Sequence, residues 1–181
     1  MTPRSLWSVA WRSLSTPVIA LLLLALYTTK VEPYWIEVTR VNAPIANLPP
    51  ALEQFSIVQI SDLHFGLEPG EVFLRHAITK ANAESPDLIV LAGDYVDAAS
   101  HARVAELSTS AANALAGLRA RYGVYAIAGN HDHLGGEDVI IENLQKAGIP
   151  VLRDAKQRVQ TGNATLWLIG VEDGGIDVCH T

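Results

Sequence analysis

The sequence is poor in cysteine and has no concentration of positive charge. Its 181 residues include a single cysteine, Cys179, so no disulfide can form within the chain. The net charge is −6, and no Lys/Arg-rich block is present. Because nucleic-acid backbones are bound by concentrated basic faces, we expect no nucleic-acid partner. The sequence also has no obvious repeats or low-complexity tracts. Its length suits one domain of ordinary size.

The longest apolar run falls short of the length that crosses a membrane. It covers residues 17–27, carries no charge and follows Arg4 and Arg12. A spanning helix needs about 20 apolar residues, and extension to residues 14–29 gives a marginal span. We interpret residues 1–30 as an uncleaved N-terminal membrane helix. A cleaved signal peptide and a core helix are the alternatives, although residues 27–30 lack the small-residue pattern of a cleavage site.

The charges beside this run predict how the chain is oriented in the cell membrane. Arg4 and Arg12 precede the apolar residues, and positive charges favour the cytoplasmic side. A single-pass protein with an extracytoplasmic main domain is therefore expected.

The rest of the chain alternates strand and helix patterns. Residues 31–54 combine a strand at 35–41, where apolar and polar residues alternate, with a linker that contains Pro49 and Pro50. Residues 55–181 form the main domain. Its predicted strands are 55–60, 88–92, 124–128 and 149–152, followed by a hairpin of 158–160 and 165–169 around Gly162 and Asn163. Its predicted helices are 71–83, 101–121 and 137–147. Apolar strands between amphipathic helices indicate an α/β fold, with a sheet covered by helices.

Three of these strands end in polar clusters. The first is followed by Asp62-Leu63-His64, the second by Gly93-Asp94, and the third by Gly129-Asn130-His131-Asp132. Ligands of open α/β sheets bind beyond the carboxyl ends of the strands, so we expect the three clusters to meet.

The residue types in these clusters favour a metal site. They supply nitrogen and oxygen atoms without a thiolate, a set that suits Zn, Mn or Fe. Asp62 and His64 are two positions apart, so on an extended segment both side chains can bind one ion. Gly93 gives room beside Asp94, whose two oxygens can bridge two cations. Two divalent ions about 3.5–4 Å apart can clamp a phosphate and activate water.

Together the three motifs strongly resemble the calcineurin-like metallophosphoesterase family. The resemblance covers about residues 55–170, and residues 34–66 are similar to its bacterial membrane-associated phosphodiesterase branch. It implies a β-sandwich flanked by helices, two divalent metal ions, and a phosphoester substrate that is a small molecule or lipid-linked.

The resemblance also implies roles for single residues. Asp62 and His64 would bind the first metal, Asp94 would bridge both ions, and Asn130 would bind the second. His131 would face the substrate phosphate as a catalytic residue. Asp132 would orient His131, and His133 would line the substrate pocket or lie in a loop.

Other polar residues have structural interpretations. Asp97 is expected to be a loop or helix-capping carboxylate, and His76 and His101 to be structural or solvated. Tyr95 is assigned equally to the wall of the site and to packing. A metal role for Cys179 with His180, or a catalytic role for Glu172 and Asp173, is the less favoured interpretation.

Part of the family pattern does not occur in these 181 residues. The pattern continues with a further histidine and a Gly-His-x-His segment, whereas the histidines after Asn130 are only His131, His133 and His180. We therefore interpret the chain as the first half of the domain, with weakened metal binding and activity. The predicted function is metal-dependent phosphoester hydrolysis. The alternatives are an inactive membrane-tethered binding module and a nucleotide-sugar-lipid pyrophosphatase.

Overall fold

The computed structural model describes residues 3–67, 70–97 and 101–171. Contacts divide the chain into two compact units, Met1–Glu37 and Val38–Thr181. The predicted domain boundaries after residues 30 and 54 stay predictions.

The first unit consists of helix α1, Pro3–Lys30, and a 3₁₀ turn, Glu32–Tyr34. Large apolar side chains in the second half of α1 are exposed to solvent; they are Val18, Ile19, Leu21, Leu22, Leu23, Leu24 and Leu26. Across the described ranges, however, no helix combines the length and the apolar character needed to cross a membrane. The prediction of a membrane-spanning helix is therefore wrong for these residues: the helix forms, but its uncharged apolar run at 17–27 is shorter than the ~20 residues of a span.

The predicted strand at residues 35–41 does not form. The burial of residues 34–39 does alternate between exposed and partly buried, as the sequence pattern predicts. The segment nevertheless joins neither sheet of the structure. Alternating burial shows which side of an extended segment packs against protein. A β-strand also requires backbone hydrogen bonds with a neighbouring strand. A second 3₁₀ turn, Pro50–Leu52, ends the connection.

The second unit is built on a parallel sheet of three strands. They are β1, Ile57–Ile60; β2, Leu88–Leu91; and β3, Val124–Ala126, hydrogen-bonded in the order β1-β2-β3. β2 lies in the centre, and Leu88, Ile89 and Leu91 are buried there. The strand predicted at 149–152 is reduced to one parallel bridge between Ala126 and Val151.

Within the described ranges, four helices accompany this sheet: α2, Gly70–Ala83; α3, His101–Leu115; α4, Asn130–Gly135; and α5, Glu137–Lys146. α3 contacts both α2 and α5. Apolar side chains at helical spacing form a common core with β2, including Leu74 and Ile78 of α2, Leu107 and Leu115 of α3, and Ile140 and Leu144 of α5. α3 ends before the predicted residue 121, because the chain turns at 116–118, around Gly117.

The predicted hairpin is present as a separate antiparallel pair. Strands β4, Ala155–Thr161, and β5, Ala164–Gly170, pair along their whole length. The turn between them is Gly162-Asn163, and Gly162 has a φ of +61°, a conformation that favours glycine. The prediction of an α/β fold with a sheet covered by helices is confirmed, and the structure shows that the three-stranded sheet is parallel. The β-sandwich that the resemblance implies stays a prediction.

Candidate metal centre

The loops that follow β1 and β2 run side by side. The backbone N–H of Asp62 donates to the carbonyl of Gly93 at 3.2 Å, and that of His64 donates to the carbonyl of Asp94 at 2.9 Å. Because both strands are parallel neighbours, their two polar clusters leave the sheet at the same edge. These hydrogen bonds fix the first two motifs against each other.

Asp62, His64 and Asp94 thereby form a three-ligand group. One ligand atom from each lies within 4.8 Å of the others, which is close enough for all three to hold one metal ion. The Nε2 atom of His64 is 4.0 Å from Oδ1 of Asp62 and 3.9 Å from Oδ2 of Asp94. Asp94 is only 8% exposed, whereas the side chain of Asp62 is 69% exposed. The two carboxylates and one imidazole fit a divalent ion such as Zn, Mn or Fe.

All three of these residues have a left-handed backbone. Their φ angles are +55° for Asp62, +41° for His64 and +58° for Asp94. Residues other than glycine rarely adopt this region, and each instance costs of order 1–3 kcal/mol unless the surroundings enforce it. The concentration of three such residues at one edge of the sheet supports a functional site there.

The third loop packs on the second through two glycines. A side chain on Gly93, whose φ is +92°, would collide with the backbone nitrogen of Gly129. A side chain on Gly129 would collide with the Asp94 carboxylate. The backbone N–H of His131 also donates to Oδ1 of Asp94 at 3.0 Å. The close approach of these loops therefore depends on the absence of side chains at both positions.

Asp132 lies beneath these loops and is fully buried, with 0% exposure. Its Oδ2 accepts the backbone N–H groups of Asp94 at 2.8 Å and Gly129 at 2.9 Å, and its Oδ1 accepts that of Tyr95 at 3.0 Å. Burial raises the pKa of the Asp132 carboxyl, and the three N–H donors oppose that rise. Within the described part of the chain, its hydrogen bonds do not include the His131 ring that it was predicted to orient. Its carboxylate instead joins the second and third loops.

Tyr95 is buried rather than part of the wall of the site. Its hydroxyl donates to the carbonyl of Ile127 at 2.8 Å and lies 3.3 Å from that of Leu91. Burial and the nearby Asp132 carboxylate raise the pKa of this hydroxyl far above its ordinary value, so it remains a donor. Tyr95 therefore links the ends of β2 and β3 directly below the metal-ligand loops.

Asn130 and His131 lie at the surface of the same region. Asn130 lines an open cleft of about 380 Å³ together with Asp62 and Asp94. His131 is exposed, and its ring meets the His64 ring edge to face, with centroids 5.0 Å apart. The third loop therefore brings one amide and one imidazole to the three-ligand group.

His133 points toward a different neighbour. Its Nδ1 lies 2.6 Å from Oε2 of Glu137, which is also 3.2 Å from Arg153, and its side chain is 23% exposed. Glu137 engages one nitrogen of this ring, and the role of His133 in the substrate pocket stays a prediction. His76 is exposed on α2, and His101 lies 3.1 Å from the carbonyl of Gly135.

Several other predictions concern the end of the chain. The interpretations of Glu172, Asp173, Cys179 and His180 lie outside the described residues.

Sequence reasoning missed the position of Asp97. Its Oδ2 lies 3.8 Å from Nδ1 of His64, whereas Nε2 of the same ring faces Asp62 and Asp94. The available signal was its place three residues after Asp94 in the same loop, where we expected only a loop or capping role.

Comparison with known proteins gives the same result as the motifs. The family model for the calcineurin-like phosphoesterase matches residues 55–175. A zebrafish (Danio rerio) transmembrane protein with metallophosphoesterase domain is 30% identical over 92% of this chain and 38% of its own length. The UDP-2,3-diacylglucosamine pyrophosphatase LpxG of Chlamydia muridarum is 34% identical over 67% of this chain and 36% of its own length. The metallophosphoesterase YkuE of Bacillus subtilis is 35% identical over 67% of this chain and 42% of its own length. The chain thus spans about two fifths of the length of these relatives.

Proposed function

The chain belongs to the calcineurin-like phosphoesterase family, and from that premise we propose that it contributes the metal centre of a phosphoric ester hydrolase. The observation that carries the proposal is that one ligand atom from each of Asp62, His64 and Asp94 lies within 4.8 Å of the other two. The hydrogen bonds between their loops and the glycine contacts behind them hold this arrangement in place.

The proposed centre is dinuclear. Asp62 and His64 would hold the first ion, Asp94 would be shared between the two ions, and Asn130, on the rim of the same cleft, would hold the second. When bound, divalent ions supply an acidified water and neutralise phosphate charge. The Oδ2 atom of Asp94 faces the His64 ring and can bind an ion there. The Oδ1 atom of Asp94 accepts the backbone N–H of His131. The identity of the metal is proposed as Mn, Fe or Zn from the oxygen and nitrogen donors.

His131 is proposed to act on the substrate. Its side chain is exposed beside the His64 ring, and its backbone is anchored on Asp94. From that position the imidazole can donate a hydrogen bond to a phosphate oxygen or a proton to the leaving group. Asp132 is proposed to position the loop backbone rather than to touch the substrate, because its carboxylate is fully buried.

A pyrophosphate bond in a lipid-linked nucleotide sugar is the second candidate substrate. One relative is named a UDP-2,3-diacylglucosamine pyrophosphatase, and the second half of α1 exposes apolar side chains that suit a lipid surface. The competing proposal is an inactive binding module of the same fold. The two alternatives differ in activity. A pyrophosphatase would hydrolyse its substrate when metal is bound, whereas an inactive binding module would show no metal-dependent turnover.

We propose that residues 1–181 by themselves hold metal weakly, since the further histidines of the family pattern do not occur among them. Titration of the full chain with Mn²⁺ or Zn²⁺ is expected to show weak binding, with little hydrolysis of bis-p-nitrophenyl phosphate. Asp62→Asn should lower the affinity at least about tenfold, because a metal ligand contributes at least as much as the outer-shell groups whose loss costs 10–100-fold.

Asp138→Asn is the matched control, because that carboxylate is 96% exposed and outside the ligand group. Equal effects of the two substitutions would contradict the proposed metal site. Two tightly held ions with normal turnover would instead contradict the proposal of weakened binding while supporting the site itself.

Association with a lipid bilayer is proposed for α1. Its exposed apolar residues at 18–26 face solvent in the structure, and burial of such surface in lipid is favourable by about 25 cal/mol per Å². One relative is named a transmembrane protein. The extracytoplasmic orientation predicted from Arg4 and Arg12 assumed a helix that crosses the membrane, so it is not carried into this proposal.

Flotation with phosphatidylcholine–phosphatidylglycerol vesicles tests the association. The full chain is expected to float with the vesicles, and the double variant Leu21→Glu, Leu24→Glu is expected to remain at the bottom of the gradient. Both leucines are exposed, so the substitutions should not disturb the fold. The control is Val41→Glu, Ile45→Glu, which changes two exposed apolar residues outside α1. Flotation that is lost equally in both double variants would count against α1 as the anchor.

A further inference from the structure

We propose that Asp97 is a positioning residue for His64. Its carboxylate accepts the Nδ1–H of the His64 ring and so leaves Nε2 unprotonated and available to a metal ion. This inference rests on the proposed metal centre and adds a residue to it.

The two nitrogens of His64 have different surroundings. Nε2 faces the carboxylates of Asp62 and Asp94 at 4.0 and 3.9 Å. Nδ1 is buried and has no hydrogen-bond partner among the described residues. A buried polar nitrogen without a partner costs about 1–3 kcal/mol, so a nearby acceptor is favoured. The Asp97 carboxylate, with Oδ2 at 3.8 Å, is placed to be that acceptor.

The backbone holds Asp97 opposite the His64 loop. The N–H of Phe65 donates to the carbonyl of Tyr95 at 2.9 Å, and the N–H of Asp97 donates to the carbonyl of Phe65 at 3.1 Å. Gly66 allows this approach, since a Cβ there would lie 2.5 Å from the Asp97 carbonyl oxygen. The Asp97 backbone is therefore fixed, while its side chain is 44% exposed and has room to rotate toward Nδ1.

A fixed tautomer matters because neutral imidazole carries only one N–H. If the proton is on Nε2, that nitrogen has no lone pair for a metal ion. A hydrogen bond from Nδ1–H to a carboxylate selects the other tautomer and also raises the basicity of the ligand nitrogen. Asp97 would thus prepare His64 before any ion arrives.

The tautomer of His64 can be measured directly. The full chain, labelled with ¹⁵N-histidine, gives two-bond and three-bond ¹⁵N–¹H correlations that distinguish the two tautomers, and His64→Gln assigns the signals. His64 is expected to be in the Nδ1–H form in the wild type and in Asp97→Asn, whose carbonyl oxygen still accepts. Asp97→Ala should yield a mixture or the Nε2–H form. Its affinity for Mn²⁺ or Zn²⁺ should fall about 10–100-fold.

The control is Asp138→Ala, which removes the same charge from a carboxylate that is 96% exposed. An Nε2–H tautomer in the wild type would overturn the inference even if no variant folded. So would an unchanged tautomer and an unchanged affinity in Asp97→Ala. If the wild type shows the Nδ1–H form but none of its histidine signals responds to metal, the proposed metal centre fails while the positioning contact stands.

Discussion

Gly129→Ala is expected to lower the free energy of unfolding by about 3 kcal/mol, the upper part of the range for an added methyl in a closely packed site. It should also abolish measurable metal binding. Gly129 has a φ of −104°, which an alanine adopts without strain, so the effect is steric. The added Cβ would lie 2.7 Å from the backbone nitrogen of Asp94 and still closer to its carboxylate. Neither group can move away without displacing the second loop.

Urea unfolding followed by far-UV circular dichroism, together with a Mn²⁺ titration, measures both effects. Gly135→Ala provides the matched control six residues later in the sequence. There an added Cβ would meet only a methyl group of Val104, at 3.9 Å. Because alanine is favoured over glycine inside a helix, the control should be neutral or about 0.5 kcal/mol more stable. A Gly129→Ala variant that bound metal like the control would contradict the packing argument.

Local sequence signals predicted most of the fold. Two examples are strand β2, which forms from an apolar run, and the two-residue turn at Gly162. Both depend on residues that are adjacent in the sequence, so the sequence pattern was sufficient to predict them. The strand at 35–41 failed because its alternation says nothing about a pairing partner. Helix α4 was missed because its six residues, Asn130–Gly135, have no apolar periodicity. This helix is stabilised by the Asp132 carboxylate, which accepts the backbone N–H of Gly129 at the start of the helix.

The candidate site shows a similar division. Spacing was enough to select Asp62, His64 and Asp94, because parallel strands end at a common edge. The left-handed backbone of these residues was not predictable, since aspartate and histidine carry no pattern that demands it. The contact of Asp97 with the back of the His64 ring depends on two loops that meet only in three dimensions.

Asp132→Ala is expected to cost about 3–5 kcal/mol of stability, because it would leave two buried and one partly buried backbone N–H groups without their acceptor, and each such loss costs about 1–3 kcal/mol. The three donors belong to Asp94, Tyr95 and Gly129, on two different loops. Without the Asp132 carboxylate, the two loops should separate. Asp94 would then be held less firmly, and metal affinity should fall as a secondary effect. Asp132→Asn should be intermediate, since one amide oxygen at the Oδ2 position can still accept from two of the three donors.

Amide hydrogen exchange distinguishes this tie between loops from a general loss of stability. In Asp132→Ala, the amides of Asp94, Tyr95 and Gly129 should exchange much faster, while the β4–β5 hairpin amides change less. The exposed carboxylate of Asp138 again serves as control, and Asp138→Ala should cost no more than about 0.5 kcal/mol. Slow exchange at all three amides in Asp132→Ala would show that another acceptor holds them. That result would contradict the tie that the Asp132 carboxylate is proposed to make between the two loops.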